Sequence, residues 1–220
     1  MTWWMIVLSV VIGYLIGSLS MSVIVSGLIY KGDVRKYGSG NAGATNMARV
    51  YGWKGGLVVL IGDIAKAILA MVLFLVLGDK LDGRGVDYMC IAGVACTLGH
   101  AFPIFFKFKG GKCVTVGAAV ALMVDWRVFL IVVGAFLIVV LITKIVSISS
   151  ITAAFFLPVS YVVLGVLSVY EICTAKLILT IFVGVLVIVL HYKNIIRLCK
   201  GEEKKFSFKK NTDKKSADEH

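Results

Sequence analysis

The chain has 220 residues, of which 60% are hydrophobic and only 16% are charged, and its formal net charge is +11. A soluble domain of this length does not need so much apolar sequence, so the composition excludes an ordinary soluble fold and predicts a membrane protein. Long apolar runs with only two prolines favour helices over the alternating strands of a barrel.

Hydropathy predicts an all-α, polytopic membrane bundle of about seven transmembrane helices. The fourth span is short, so it is expected to be buried in protein or to cross only partly. The first segment lacks a basic start and a clear cleavage site, and it is predicted to be retained as a span. A five-span alternative stays open, although alternating charge favours seven. The predicted spans are 3–29, 55–78, 87–106, 113–124, 127–143, 146–168 and 174–192.

The distribution of charge predicts the orientation of this bundle. The segments after spans two, four and six hold few basic residues, whereas most of the basic residues lie in the segments after the odd-numbered spans. The positive-inside rule therefore places the N-terminus outside and the C-terminus in the cytoplasm. Residues 1–203 are predicted to form one transmembrane domain, and the basic tail 204–220 is predicted to be disordered. The few basic residues on the outer side are Lys80, Arg84, Arg127 and Lys176.

The first cytoplasmic loop, from Lys31 to Asn46, is rich in small and hydrogen-bonding residues. Its glycines would let the backbone approach a ligand closely. If a helix begins near residues 41–45, Arg49 lies in its first turns, where free N–H groups favour an anion. The loop therefore predicts an anion site, with a solvated turn capped by Ser or Asn as the alternative. The residues of interest are Gly38, Ser39, Gly40, Asn41, Thr45 and Asn46.

The second loop contains Gly110 and Gly111 between Lys109 and Lys112. Its spacing is not that of a Walker A loop, because Cys113 stands where the Mg²⁺-binding hydroxyl would be, so ATP hydrolysis is disfavoured. A glycine turn with three nearby ammonium groups nevertheless suits a phosphate. The alternative is that these lysines only anchor the loop in the cytoplasm.

Two histidines border the loops. His100 lies near the cytoplasmic end of the third span, and His191 ends the last span, with Asn194 on the same predicted helical face. A lone histidine at a helix end is often a cap, and neither has the spacing of a metal ligand, so no metal site is predicted. The five cysteines likewise form no zinc-binding pattern.

Asp63 and Lys66 lie inside the second span at positions i and i+3. Ionisable residues in hydrocarbon are costly and are candidates for a function. They are expected to neutralise one another across one helical turn. Asp63 could also orient Arg49 or Lys112.

Three ordered motifs resemble the bacterial acyl-phosphate:glycerol-3-phosphate acyltransferase family. Residues 33–49, 99–112 and 191–203 are similar to the family's first, second and third motifs, and 62–66 fits the segment that follows the first. The resemblance runs from about Gly17 to Glu203. Two positions depart from it: Cys113 stands where the family usually has a glycine, and Leu190 where an arginine usually precedes the third-motif histidine.

The resemblance implies an enzyme that moves a fatty acyl group from acyl phosphate to the 1-hydroxyl of glycerol 3-phosphate, giving lysophosphatidic acid and phosphate for phospholipid synthesis. It implies that Ser39 and Arg49 are essential, and that Gly110 and Gly111 form a phosphate-binding turn. It also implies activity roles for His191 and Asn194 and a structural role for Glu203. Our interpretation of the residues adds Lys112 to the catalytic group. It assigns substrate binding to His100 and to the polar and glycine residues of the first loop. Asp63 and Lys66 are assigned a structural role.

The expected partners are the two substrates, membrane lipid and a soluble enzyme that makes acyl phosphate, with no cofactor and no nucleic acid. The resemblance places the protein in a bacterial inner membrane with its active site facing the cytoplasm. The proton acceptor stays open between His191, His100 and a substrate phosphate.

Two alternatives remain at this point. An enzyme that uses acyl-CoA or acyl carrier protein normally shows H-x-x-x-x-D, but Phe105 and Ile196 occupy that position after the two histidines. A transporter or channel for a small phosphorylated anion would favour repeated halves, which the sequence does not show.

Overall fold

The computed structural model describes residues 1–203 and 205, which form ten α-helices and no strand. The all-α prediction is therefore confirmed, while the predicted disordered tail lies outside the described residues except for Lys205. Two short 3₁₀ segments, Val34–Lys36 and Ile104–Phe106, lie in the first and second polar loops. The helices are α1 (Trp3–Gly17), α2 (Met21–Tyr30), α3 (Ala44–Tyr51), α4 (Trp53–Asp82), α5 (Gly85–Ala101), α6 (Val114–Val124), α7 (Trp126–Thr143), α8 (Val146–Val166), α9 (Thr174–Leu190) and α10 (Tyr192–Cys199).

Each of the seven predicted apolar segments is helical, but their lengths differ. Five segments are long and apolar enough to cross a membrane, and α9 with α10 forms a sixth if this pair, bent by 54°, is one span. Helix α6 has 11 residues, which corresponds to about 16 Å and is shorter than a hydrocarbon core of roughly 30 Å. The count of seven crossings and the orientation of the termini stay predictions.

The first predicted span is broken in the middle. Helix α1 ends at Gly17, and α2 begins only at Met21. Such a break frees backbone carbonyls, which need partners inside a membrane protein. Lys66 of α4 supplies them, because its ammonium donates to the carbonyl oxygens of Gly17 and Leu19 at 3.0 and 2.7 Å. Hydropathy alone could not predict this break, since the segment is apolar on both sides of it.

Close packing of α1 against α5 uses small residues. Gly13 and Gly17 lie one helical turn apart on α1, and a Cβ at Gly13 would lie 2.8 Å from the carbonyl oxygen of Ala92. A Cβ at Gly17 would collide with the backbone of Cys96. Small residues at this spacing let two membrane helices approach closely. Helix α5 is consequently central: 61% of its most apolar stretch is buried, against 11% for α7.

The polar end of the bundle is fixed by a small apolar cluster under the first loop. Val25 of α2, Val34 of the loop, Met47 of α3 and Val59 of α4 pack together, and each is at most 6% exposed. The main core is formed by buried residues of all six helices from α4 to α9. The first loop is therefore held against the rest of the bundle by buried apolar contacts.

Candidate active site

A cavity of about 800 Å³ lies where the three polar loops meet. Residues from the first loop, from the start of α6 and from the α9–α10 bend line it together. The structure therefore brings residues of the three loops together, and the membrane face on which they lie stays a prediction. The predicted site residues that line this cavity are Gly38, Ser39, Gly40, Asn41, Thr45, Asn46, Arg49, His100, Lys112, His191, Asn194 and Glu203.

Asn46 holds the first loop in shape. Its side-chain oxygen accepts a hydrogen bond from the backbone N–H of Ser39 at 2.8 Å. Its amide nitrogen donates to the carbonyl oxygens of Val34 and Tyr37 at 3.0 and 3.1 Å. Asn46 is only 2% exposed, so most of its hydrogen-bonding capacity serves the loop. This geometry leaves the exposed Ser39 side chain at the mouth of the cavity.

Helix α3 begins at Ala44, within the predicted range of residues 41–45, so the prediction that Arg49 lies in its first turns is confirmed. Because the helix has only eight residues, Arg49 also lies in its last turn. Asp63 does not orient Arg49, because it pairs with Lys66 at 2.9 Å, which confirms the pairing that the sequence favoured. Among the described residues, Arg49 forms no ion pair within 4.0 Å. Its guanidinium group is therefore free to bind an anion in the cavity.

Lys112 is the only lysine of the second loop that lines the cavity within the described part of the chain. Its ammonium donates to the side-chain oxygen of Asn194. The pKa of Lys112 is lowered to about 8, chiefly by burial and also by the charges of Arg197 and Arg49, while the charge of Glu203 acts to raise it. The expectation of three ammonium groups around one phosphate is therefore wrong for Lys107 and Lys109, which are exposed away from the cavity.

Gly110 and Gly111 do not line the cavity in the described structure. A Cβ at Gly110 would collide with the carbonyl oxygens of His100 and Ala101, and one at Gly111 would collide with the His100 ring. The backbone N–H of Gly111 donates to the His100 carbonyl at 3.0 Å. Close packing thus explains why glycine occupies both positions, and the role of the two glycines as a phosphate-binding turn stays a prediction.

Arg35 joins the first loop to the second. It pairs with Asp33 at 2.8 Å, and its guanidinium donates to the carbonyl oxygens of Phe106 and Lys109 at 2.8 and 3.3 Å. The two loops are consequently tied together on the side away from the cavity. Sequence analysis did not single out Arg35 for this role, because the contact spans more than 70 residues of chain.

Cys113 occupies a strained position at the start of α6. Its φ of 61° is in the left-handed region, which favours glycine. The thiol is fully buried and donates to the carbonyl oxygen of Thr97 at 3.4 Å. Cys113 belongs to the cavity wall, but its buried thiol points into the bundle while its backbone keeps a glycine-like turn.

The third loop is held by Glu203. Its carboxylate accepts hydrogen bonds from Ser147 at 2.8 Å, from Asn194 at 2.6 Å and from Arg197 at 2.6 Å. Burial acts to raise the pKa of Glu203, but these hydrogen bonds outweigh it and the pKa lies below its usual range. The arrangement places Asn194 between Lys112 and Glu203, which supports the structural role predicted for Glu203.

His191 lies at the bend between α9 and α10 and is 3% exposed. Its Nδ1 is 2.7 Å from the carbonyl oxygen of Val187. Leu190, the second departure from the family pattern, lines the cavity beside it. An arginine at that position would have added a cation to the wall, and the leucine makes this part of the wall apolar.

Sequence analysis missed several residues of the cavity wall. Ser147 and Ser150 come from α8, Thr115 from α6 and Phe136 from α7. The cluster of serines at the start of the sixth span was the signal that could have revealed the α8 contribution. Single serines are common in membrane helices, because their hydroxyls donate to the helix backbone as Ser150 does here.

Fold and cavity together define a polytopic membrane protein whose polar cavity is equipped for anions and lies beside hydrocarbon. A sequence model of the family described as glycerol-3-phosphate acyltransferase matches residues 7–201. The chain is similar to a glycerol-3-phosphate acyltransferase of Staphylococcus carnosus, with 38% identity over 93% of this chain and 99% of the relative. It is similar to one of Coxiella burnetii, with 37% identity over 90% and 97%. The chain belongs to the glycerol-3-phosphate acyltransferase family.

Two crystal structures of PlsY, an integral membrane glycerol 3-phosphate acyltransferase, have the same fold. The glycerol 3-phosphate form has a TM-score of 0.80 and 33% identity, and the lysophosphatidic acid form has a TM-score of 0.77 and 32% identity. Each comparison covers 92% of this chain and 96% of the other. Family membership favours the acyltransferase prediction over the transporter alternative.

Proposed function

We propose that this cavity transfers a fatty acyl group from acyl phosphate to the 1-hydroxyl of glycerol 3-phosphate at the cytoplasmic face of a bacterial inner membrane. One observation carries the proposal: Arg49, Lys112, His191 and Asn194 come from three separate loops and line one cavity. The names of the relatives support the acceptor. The donor is inferred from the missing H-x-x-x-x-D motif and from the resemblance of the three motifs.

The cavity has separate surfaces for the charged and apolar parts of such substrates. Arg49 and Lys112 are the cations that would hold phosphate groups. The first residues of α3 and α6 also line the cavity, so the N–H groups at both helix starts would add favourable dipoles. The apolar part of the wall suits an acyl chain and consists of Leu60, Val114, Phe136, Val146 and Leu190.

The reaction needs no covalent intermediate on the protein, because acyl phosphate is already an activated mixed anhydride. The hydroxyl oxygen of glycerol 3-phosphate attacks the acyl carbonyl carbon and forms the ester C–O bond. The bond between that carbon and the phosphate oxygen breaks, and phosphate leaves with the electron pair. The hydroxyl proton goes to His191 or to a substrate phosphate. Holding both anions in one cavity aligns the reacting atoms, and Lys112 stabilises the developing negative charge.

Purified protein with synthetic acyl phosphate and labelled glycerol 3-phosphate tests this proposal. Lysophosphatidic acid should form, and its formation should persist in EDTA. Acyl-CoA as the sole donor should give no product, and robust turnover with acyl-CoA would contradict the proposed donor.

Two lysines of the second loop allow a matched pair of variants that tests the role of the cavity itself. Lys112→Met should lower kcat/KM by at least about tenfold, the order expected for a lost charged hydrogen bond. Lys109→Met removes the same charge outside the cavity and should change kcat/KM little. Equal losses in both variants would show that the overall charge of the loop, and not the cavity, supports activity.

The proposed donor also defines the setting of the enzyme. Acyl phosphate is an amphiphile with a reactive head group, so the soluble enzyme that makes it is the proposed upstream partner. Residues 1–203 would act as one transmembrane domain, because they supply every residue of the cavity lining except Lys205.

A further inference from the structure

A cluster of buried polar groups lies behind the cavity wall, where α4, α5 and the break after α1 meet. Asp63 and Lys66 are 1% and 5% exposed, and their carboxylate and ammonium are 2.9 Å apart. His100 of α5, which is 4% exposed, reaches the same ammonium with its Nδ1 at 3.1 Å. Polar groups buried in a membrane bundle are costly unless they are hydrogen-bonded.

The protons of Lys66 determine the state of the His100 ring. An ammonium group has three protons, and two of them go to the carbonyl oxygens of Gly17 and Leu19. The third is directed at Nδ1 of His100. The Asp63 carboxylate lies 2.9 Å from the ammonium, but neither of its oxygens is in hydrogen-bond geometry with a described group, so Asp63 acts on Lys66 through charge.

An ammonium can only donate, so Nδ1 of His100 must accept. A neutral imidazole that accepts at Nδ1 carries its proton on Nε2. The charged form of His100 would place two donors 3.1 Å apart. It would also add a second positive charge to an Asp63–Lys66 pair that is already neutral, and a buried unpaired charge is strongly unfavourable. The 3.5 Å distance from Nδ1 to the carboxylate of Asp63 is longer than the contact with Lys66.

The other ring nitrogen faces the second loop. A Cβ added at Gly111 would meet Nε2 of His100, and His100 lines the cavity. We infer that Lys66 is a positioning residue that holds His100 in the Nε2–H tautomer, so that the ring presents a hydrogen-bond donor to a phosphate in the cavity. The identity of that phosphate rests on the proposed function, whereas the tautomer does not.

His191 is held in the opposite state. Its Nδ1 is 2.7 Å from the carbonyl oxygen of Val187, which can only accept, so Nδ1 carries the proton and Nε2 keeps its lone pair. The two histidines of the cavity thus differ in what they offer. His100 presents a donor and His191 an acceptor, which leaves His191 as the histidine able to take a proton in the reaction.

The tautomers can be measured without any activity. Protein labelled with ¹⁵N in its histidines, at neutral pH in lipid nanodiscs, should show proton-free Nδ1 for His100 and proton-free Nε2 for His191. His100→Gln and His191→Gln spectra assign the signals. Lys66→Met should let the other His100 tautomer appear, whereas Lys176→Met, which removes a lysine bonded to the carbonyl of Val124 at the far end, should not. A proton on Nδ1 of His100 in the unmodified protein, or an unchanged spectrum in Lys66→Met, would overturn the inference.

Lys66→Met leaves Asp63 without its countercharge and can fail to fold, so an Asp63→Asn/Lys66→Met variant removes both charges together. A second test avoids Lys66 altogether. Glutamine can place an amide N–H near the position of Nε2, and asparagine near that of Nδ1. His100→Asn should therefore raise the KM for glycerol 3-phosphate or for acyl phosphate about tenfold more than His100→Gln does. The inference would be overturned if, for each of the two substrates, His100→Asn and His100→Gln had the same KM.

The two hypotheses fail in different ways. A protein that shows the expected tautomers but no acyl transfer would contradict the proposed function alone. An active protein whose His100 has the other tautomer would contradict the inference alone.

Discussion

Lys112 is the residue whose protonation should limit activity near neutral pH. Its pKa is lowered to about 8, chiefly by burial, so the ammonium loses its proton as the pH rises through that value. Since the charged form binds phosphate, kcat/KM should fall above pH 8, and kcat/KM reports the free enzyme. Initial rates from pH 6 to pH 10 would measure this.

The matched variant for this pH profile is Lys112→Arg. A guanidinium stays charged throughout this range, so the variant should lose the fall above pH 8 even if its rate is lower. An unchanged profile in Lys112→Arg would assign the titration to another group.

Arg49 distinguishes charge from geometry. Its guanidinium can hold a phosphate through two hydrogen bonds, whereas a lysine ammonium acts as a point charge. Arg49→Lys should therefore cost about ten- to hundredfold in kcat/KM. The amount of membrane-inserted protein must be measured alongside. Full activity in a well-inserted Arg49→Lys variant would remove Arg49 from the site and leave Lys112 as the principal phosphate ligand.

At the level of helices, Glu203 fastens α10 to the start of α8. The pKa of Glu203 is lower in the folded protein than in the unfolded chain. Its hydrogen bonds therefore stabilise the fold fully above the usual glutamate pKa, and this stabilisation is lost as the pH falls through the lower, folded-state pKa. Glu203→Gln should therefore lower the unfolding temperature at pH 7 by about 2–4 °C per kcal/mol lost. The difference from the unmodified protein should shrink at roughly pH 4.

Ser147→Ala should destabilise the protein less than Glu203→Gln does. It removes one of the three donors to Glu203 and leaves the carboxylate paired with Asn194 and Arg197. Its loss should be about 1 kcal/mol, that of a single hydrogen bond. Thermal unfolding in detergent measures both variants. A Ser147→Ala loss as large as that of Glu203→Gln would mean that Glu203 acts mainly through α8.

Two glycines test the packing of α1 on α5. A Cβ at Gly17 would collide with the backbone of Cys96, whereas one at Gly27 of α2 would meet nothing within 4 Å. Gly17→Val should therefore destabilise the protein by about 1–3 kcal/mol, the usual cost of overpacking, and Gly27→Val should be nearly silent. Unfolding temperature in one detergent compares the two. Similar values would show that α1 can move away from α5.

For the molecule as a whole, sequence predicted the helical segments and the meeting of three loops well. Both depend on signals carried by consecutive residues: long apolar runs and the alternation of basic segments. The break after Gly17 and the contact of Lys66 with His100 could not be predicted, because hydropathy reports burial in lipid and does not say which helices touch.

Topology is the prediction on which the cytoplasmic site rests, and charge alone supports it. Single cysteines at Lys36 and Lys80, both exposed, should react with a membrane-impermeant thiol reagent from opposite faces. The background should carry serine at Cys173 and Cys199, the two native cysteines that are not buried, and should retain acyl transfer. In intact cells only the Lys80 variant should react, because the positive-inside rule places residues 31–54 in the cytoplasm and 79–87 outside. In inside-out vesicles only the Lys36 variant should react. Reaction of the cysteine introduced at Lys36 from outside intact cells would place the cavity on the outer face. A soluble cytoplasmic enzyme could not deliver acyl phosphate to it there.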